Sequence, residues 1–266
     1  MRVRLDVELV RRGLARSREH AVELIESNLV LVRGMPATKA ATQVDAETSI
    51  NLVAQQDDYV SRGAHKLAGA LDAFDGIEVA NCVALDAGAS TGGFTDVLLR
   101  RGAKKVIAVD VGYGQLAWSL QQDARVQIHD RTNVRSISPE LFGESVDLIV
   151  ADLSFISLSL VLPALVSVAK PTANFLLMVK PQFEVGREKL GAGGVVRDPE
   201  LRKSAVLEVA LCAASLGLGT VGVVASPLPG PSGNVEYFLW LRQGSGINSE
   251  SELKISIEEA IQKGPQ

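Results

Sequence analysis

The sequence is poor in what metal, disulfide and membrane chemistry require. Only two cysteines, Cys82 and Cys212, and three histidines occur in 266 residues. Both cysteines lie in apolar contexts away from any His/Cys cluster, which predicts buried free thiols and no zinc site or disulfide framework. No metal is expected. No apolar run approaches the roughly eighteen residues of a membrane span, and the N-terminus, with Arg2, Arg4 and Asp6, lacks the apolar core of a signal peptide. The expectation is a soluble, cytoplasmic chain with no membrane partner. An excess of positive charge is lacking too, with 27 Lys/Arg against 31 acids. With a net charge of -4, affinity for a polyanion needs locally concentrated cations. What the chain has in quantity is apolar residue, 47% of the total, enough to build a large domain beside a small one.

The missing positive charge is gathered at one end. Met1 to Lys39 holds eight Lys/Arg, including Arg4, Arg11, Arg12, Arg16, Arg18 and Lys39, against five acids. Leu5, Leu9 and Val10 have helical spacing, and Gly13 can close that helix in the left-handed region. Ser17 can cap a second helix that turns Ala21, Leu24 and Ile25 inward. Asn28 suits the end of that helix because it tolerates the left-handed region. Leu29 to Val32 then reads as a strand closed by the turn from Arg33 to Pro36.

Val83 to Thr95 reads VALDAGASTGGFT, a strand feeding a glycine-rich turn and then a helix. The spacing fits neither the P-loop nor the dinucleotide fingerprint. A D-x-G-x-x-x-G-G turn after a first strand instead suits a nucleoside-bearing methyl donor, with Asp86, Gly88, Ser90, Gly92, Gly93 and Phe94 as candidate contacts. Strand and helix then alternate. Val106 to Val109 ends at Asp110, the expected ribose partner, followed by Tyr113 and Gln115. Val126 to Ile128 ends near Asp130, and Val146 to Val150 ends near Asp152. Phe175 to Val179 ends at Lys180, and Thr220 to Ala225 runs into SPLPGPSGN, too short for a crossover helix. Val235 to Leu241 must therefore return antiparallel, with Glu236 just inside it. These polar residues terminate strands, the edge where open parallel sheets bind ligands. The fold class is α/β, a class I (Rossmann-like) methyltransferase with a seven-stranded sheet, plus a small N-terminal α+β module. The expected boundaries are 1–56 for the module, 57–63 for a linker, 64–244 for the methyltransferase domain and 245–266 for a tail with a weak helix.

Four charged residues stand apart: Lys66 ahead of the first strand, Asp152, Lys180 and Glu236. On this scaffold they resemble the Lys-Asp-Lys-Glu tetrad of FtsJ-type ribose 2'-O-methyltransferases, which implies catalysis at a poorly nucleophilic hydroxyl. A lysine acts as base only if its pKa is lowered. Neighbouring carboxylates oppose that, so Lys180 is read either as the base or as the stabiliser of a developing alkoxide.

The string RLDVELVRRGLARSREHAVELIESNLVLVRG resembles the S4 RNA-binding domain, which implies that Arg4, Arg11, Arg12, Arg16 and Arg18, with Lys39, face RNA phosphates; Arg62, in the VSRGAHKL stretch, is added to that set. The combination of VSRGAHKL, LDAGASTGGFTDVLL, DVGYGQL, ADLSFISL, VKPQFE and SPLPGPSGNVEYFLWL resembles the TlyA family across nearly the whole chain. The resemblance implies S-adenosylmethionine as cofactor, ribosomal RNA in ribosomal subunits as partner, and cytidine 2'-O-methylation as reaction; the sequence leaves the oligomeric state open, with a monomer as the expectation. It also implies a choice between members acting on the large-subunit RNA alone and longer members acting on both, to which the segment after Ser245 leans. Longer members carry Arg-Ala-Trp-Val where this chain has Asp57-Asp58-Tyr59-Val60. A base methyltransferase is disfavoured because ADLSF matches neither an Asn/Asp-Pro-Pro-Tyr nor a cysteine loop. A membrane-active haemolysin and a non-catalytic ribosome-binding factor are the readings from other classes.

Overall fold

The computed structural model describes residues 2–15, 17–26, 28–52, 59–244, 246–247 and 249–265, with 187 and 192 described in backbone only. Arg16, expected to face RNA, and residues 57 and 58 of the expected linker lie outside the described residues. The chain forms two units, Met1–Asp58 and Tyr59–Gln266.

In the first unit, β1 (Val3–Arg4) leads into α1 (Leu5–Arg11) and α2 (Arg18–Glu26), followed by β2 (Val30–Val32), β3 (Met35–Pro36), β4 (Gln43–Val44) and β5 (Ile50–Leu52). Gly13 at φ 71° and Asn28 at φ 57° take the left-handed conformations that close the two helices. The Ser17 hydroxyl accepts from the His20 N–H at 3.2 Å, an N-terminal cap. Leu5, Leu9, Ala21, Ile25 and Val30 form the small core. The pairings of β1 with β4 and of β2 with β5 were not legible in the sequence, because such short strands carry too few residues for a periodic pattern.

The second unit runs α3 (Gly63–Ala73), β6 (Val83–Ala87), α4 (Gly93–Arg100), β7 (Lys105–Val109), α5 (Trp118–Gln121), β8 (Val126–His129) and α6 (Pro139–Phe142). It continues with β9 (Val146–Ala151), α7 (Leu162–Val168), β10 (Ala169–Val179), α8 (Pro181–Glu184), α9 (Pro199–Ser215), β11 (Leu218–Ala225), β12 (Tyr237–Gln243) and α10 (Glu250–Lys263). The sheet order is β11-β12-β10-β9-β6-β7-β8. Among the described strands of this sheet, β12 is the one reversed in direction, running antiparallel to both β10 and β11. The central strands are buried on both faces, which is why they read as continuous apolar runs. Leu85, Ile107 and Ile149 pack towards α7, α9 and α10, whereas Ala84, Val106, Leu148 and Val150 pack towards α3 and α4.

Two expectations are corrected and a third, the C-terminal helix, is sharpened. Tyr59 and Val60, read as linker, pack on α4: the Arg100 guanidinium lies 4.6 Å from the Tyr59 ring, and the Val60 N–H donates to Asp96 at 2.9 Å. Strand β10 starts six residues before Phe175, through an irregularity between Ala169 and Asn174 that accommodates Pro171. The weak C-terminal helix is a full element. Ser249 caps it by accepting from the Glu252 N–H, and Leu253, Ile257 and Ile261 join the main core. Such a helix reads as weak by itself because its stability comes from packing one face.

Candidate active site

The glycine-rich turn brings β6 against the end of β9. A Cβ on Gly88, which sits at φ 88°, would lie 2.6 Å from the Asp152 carbonyl oxygen, so only glycine allows this approach. Ser90, also left-handed at φ 47°, aims its N–H at Asp110 Oδ2 at 2.8 Å, and the Gly112 N–H donates to Asp110 Oδ1 at 2.7 Å. Asp110 is thereby fixed at the end of β7 with lone pairs remaining on both oxygens. A cavity of about 420 Å³ opens there, walled by Gly88, Ser90, Asp110, Gln115, Asn133 and Asp152. Its size suits a small-molecule cofactor, and its ends differ usefully: Asp110 offers acceptors for ribose hydroxyls, and Asn133 offers an amide where a base edge would lie.

Not all expected contacts reach it. Gly93 and Phe94 border a smaller recess beside Ser90, and the Phe94 ring packs on Phe238. Gly92, at φ 94°, faces Leu116 and Leu120; its missing side chain serves helix packing, and it does not line the cavity. Tyr113 is exposed under the Arg131 guanidinium, 4.4 Å from its ring centre, and Asp130 accepts from the Gly114 N–H at 2.9 Å. Both shape the turn after β7 and neither lines the cavity. Asp86 is fully buried. Its Oδ2 accepts from the Thr95 hydroxyl at 2.7 Å while Oδ1 has no hydrogen-bond partner, and it contributes nothing to the cavity wall. Burial, reinforced by the nearby Asp152 charge and opposed by Thr95, pushes its carboxyl up to about 7.

The four charged residues at the strand edge meet in two ion pairs. Lys66, in the first turn of α3, reaches Glu236 at 2.5 Å. Glu236 stands one residue before β12 and is buried. Lys180 precedes α8 and lies 2.5 Å from Asp152 Oδ1, while its aligned hydrogen bond goes to the Ser154 hydroxyl at 3.1 Å. A cavity of about 310 Å³ is walled by Arg62, Lys66, Asp152, Ser154, Lys180 and Pro231. A larger one, about 800 Å³, has Phe155, Lys180, Gln182, Phe183, Asn234 and Glu236 on its wall. Ser154 borders the small-molecule cavity and both of these, so the three meet beside Lys180.

Phe155 escaped the sequence reading. Its ring is 90% exposed on a left-handed backbone of φ 64°, 5.1 Å from the Phe183 ring. A bulky residue in that conformation is an outlier. Within ADLSFISL it reads as one more apolar core position, and only the turn's backbone reveals otherwise.

In the first unit the arginines do not form a free cationic face. Asp6 and Glu8 are both 2% exposed. Asp6 takes both Arg4, in a fork of two 3.0 Å bonds, and Arg18 at 2.9 Å. Glu8 takes Arg11 at 2.6 Å and Arg12 at 2.7 Å. The Arg4 fork, with Arg18, holds the Asp6 carboxyl down to about 2, and Arg11 with Arg12 does the same for Glu8. With folded values below the usual carboxylate range, the stability these pairs give is complete above that range and is lost as pH falls towards 2. Arg4, Arg11 and Arg18 still expose about half of their side chains and Lys39 is exposed, as is Arg62 in the second unit. Arg12 differs. It donates to the carbonyls of Thr48, Asp45 and Ala46 at 2.9 to 3.1 Å, tying α1 to the turn before β5. Arg12→Ala is therefore expected to loosen this unit by about 2 kcal/mol. Faster amide exchange across α1 and β5 is the readout, and unchanged exchange would return Arg12 to the role of a surface cation.

Among the described residues, no group of three or more His, Cys, Asp or Glu is arranged to hold a metal ion, and no helix is long and apolar enough to cross a membrane. The FtsJ-like methyltransferase family model matches residues 59–243, and the S4 domain model matches residues 3–50. Over 266 residues the chain is 59% identical to the 16S/23S rRNA (cytidine-2'-O)-methyltransferase TlyA of Mycobacterium tuberculosis, with 99% of each chain covered. It is 34% identical over 242 residues to the 23S rRNA (cytidine-2'-O)-methyltransferase TlyA of Campylobacter jejuni, covering 84% of this chain and 93% of that one. A solved structure described as a hemolysin from Streptococcus thermophilus superposes with a TM-score of 0.74 at 36% identity, covering 98% and 96% of the two chains.

Proposed function

We infer the reaction from the premise that this chain belongs to the TlyA family of FtsJ-like methyltransferases, here joined to an S4 domain. It transfers a methyl group from S-adenosylmethionine to the ribose 2'-hydroxyl of cytidine in ribosomal RNA. The match to the Mycobacterium tuberculosis relative along 99% of both chains favours RNA of both subunits as substrate. The observation that carries the reaction type is the junction at Ser154, where a cofactor-sized cavity that Asp152 borders meets two others whose walls carry Lys66, Lys180 and Glu236.

Gly88, Ser90, Asp110, Gln115 and Asn133 hold the donor. When bound, S-adenosylmethionine supplies a methyl group already activated by its sulfonium charge. The remaining work is alignment and charge control. Each lysine sits against a carboxylate at 2.5 Å, held in place by that ion pair. A lysine ammonium is a donor without an acceptor site, and Lys180 is placed to act as one. It holds the attacking 2'-oxygen and stabilises the negative charge that develops there as the hydroxyl proton leaves to solvent water. Asp152 and Glu236 keep the two ammonium groups oriented. Phe155 offers an exposed face on which the target base stacks, Arg62 at the mouth meets its phosphate, and Arg4, Arg11 and Arg18 hold flanking RNA. The test is transfer of labelled methyl from the donor to RNA of unmodified ribosomal subunits: label in RNA is expected, and a donor-binding protein that labels none would be a non-catalytic factor.

A further inference from the structure

We propose that Glu184, outside the tetrad, is a positioning residue that locks the loop from Asp152 to Leu158 into its reactive shape, an inference that rests on the methyltransferase reading above. The Ser157 hydroxyl donates to Glu184 Oε2 at 2.5 Å, and the Leu158 N–H donates to Oε1 at 2.9 Å. Both carboxylate oxygens are thus spent on one loop. Four residues earlier on the same segment, Lys180 grips the other end of that loop through Asp152 at 2.5 Å and Ser154 at 3.1 Å. Between the two grips stands Phe155, in its left-handed conformation and stacked near Phe183.

Backbone held in a sparsely populated region persists only where its surroundings over-determine it. Here the over-determination comes from one short segment, Lys180 and the helix α8 that follows it, whose first and last side chains flank the strained residue. Without Glu184, the Ser157 end is released, Phe155 is free to relax, and Ser154 loses its fixed place beside Lys180. Burial raises the Glu184 carboxyl above its usual range, with Glu208 on α9 pushing the same way and the two loop bonds opposing. Glu184 is half-buried, and its two bonds to the loop offset the desolvation it carries there.

The experiment measures kcat and KM of the full-length protein on ribosomal subunits for wild type, Glu184→Ala, Glu184→Gln and Ser157→Ala. A small misplacement of reacting groups is costly, so Glu184→Ala should lower kcat at least about tenfold, by a larger factor than it raises the donor KM. Glu184→Gln, which keeps an acceptor for the Leu158 N–H and a partner for Ser157, should recover most of that loss. Ser157→Ala, which leaves the carboxylate and the fold in place, should show an intermediate loss and carries the test if Glu184→Ala does not fold. Wild-type kcat in either alanine variant, or a glutamine variant as impaired as alanine, would overturn the proposal. A wild-type protein without transferase activity would overturn the methyltransferase reading itself, a separate outcome.

Discussion

Lys180→Met should lower the rate of methyl transfer by roughly 10²–10⁴-fold, the range seen when a positioned proton-transfer or charge-stabilising group is removed. Donor affinity should stay within about threefold of wild type, because Lys180 does not line the cavity that holds the donor. That split distinguishes action at the hydroxyl from a general collapse of the site. Lys180 is 9% exposed, beside Asp152 and Ser154. Methionine fills a similar volume but leaves Asp152 without its cation, which adds to the loss. Single-turnover rates with saturating donor, together with calorimetric binding of S-adenosylhomocysteine, make the comparison. Activity within tenfold of wild type, or parallel loss of product binding, would remove Lys180 from the reaction.

Asp86→Asn should stabilise the protein, increasingly so as pH rises. An unfolded aspartate titrates near 4, whereas burial pushes Asp86 up to about 7. For an acid raised in the folded state, the folded form keeps a proton that the unfolded form has lost. Stability therefore falls as pH climbs from the unfolded value to the folded one, and the penalty is complete above it. A gap of about three units corresponds to about 4 kcal/mol, of which about 2 to 3 kcal/mol accrues between pH 5 and pH 8. Asparagine carries no such penalty and can still meet the Thr95 hydroxyl. Denaturant unfolding of both proteins at pH 5 and pH 8 measures the difference. Equal pH dependence in the two would mean that Asp86 is ionised in the fold.

The order of elements was legible because a sheet buried on both faces demands continuous apolar runs, and because its strands end in residues unlike those runs. Asp110, Asp152 and Lys180 announce themselves in this way. The pairing of charges was not legible. Nothing in the spacing says that Lys66 meets Glu236, 170 positions away. Nor does it say that Asp6 and Glu8, which look like ordinary helix acids, are buried under four arginines. Burial of a charge depends on partners brought by the fold, and a one-dimensional pattern carries no record of them. Gly92 and Asp86 show the converse. Their place in the glycine-rich turn suggested ligand contact, while the structure uses one for helix packing against Leu116 and Leu120 and the other as a buried partner of Thr95.

The account stands on a hydroxyl-directed transfer at the junction of the three cavities. Its most direct test is to incubate the full-length protein with ribosomal subunits lacking the modification and labelled S-adenosylmethionine, digest the RNA to nucleosides, and identify the labelled product by mass spectrometry. The account predicts label in 2'-O-methylcytidine, absent from a Lys180→Met control. Label in a base-methylated nucleoside, or none in RNA while the donor still binds, would contradict it.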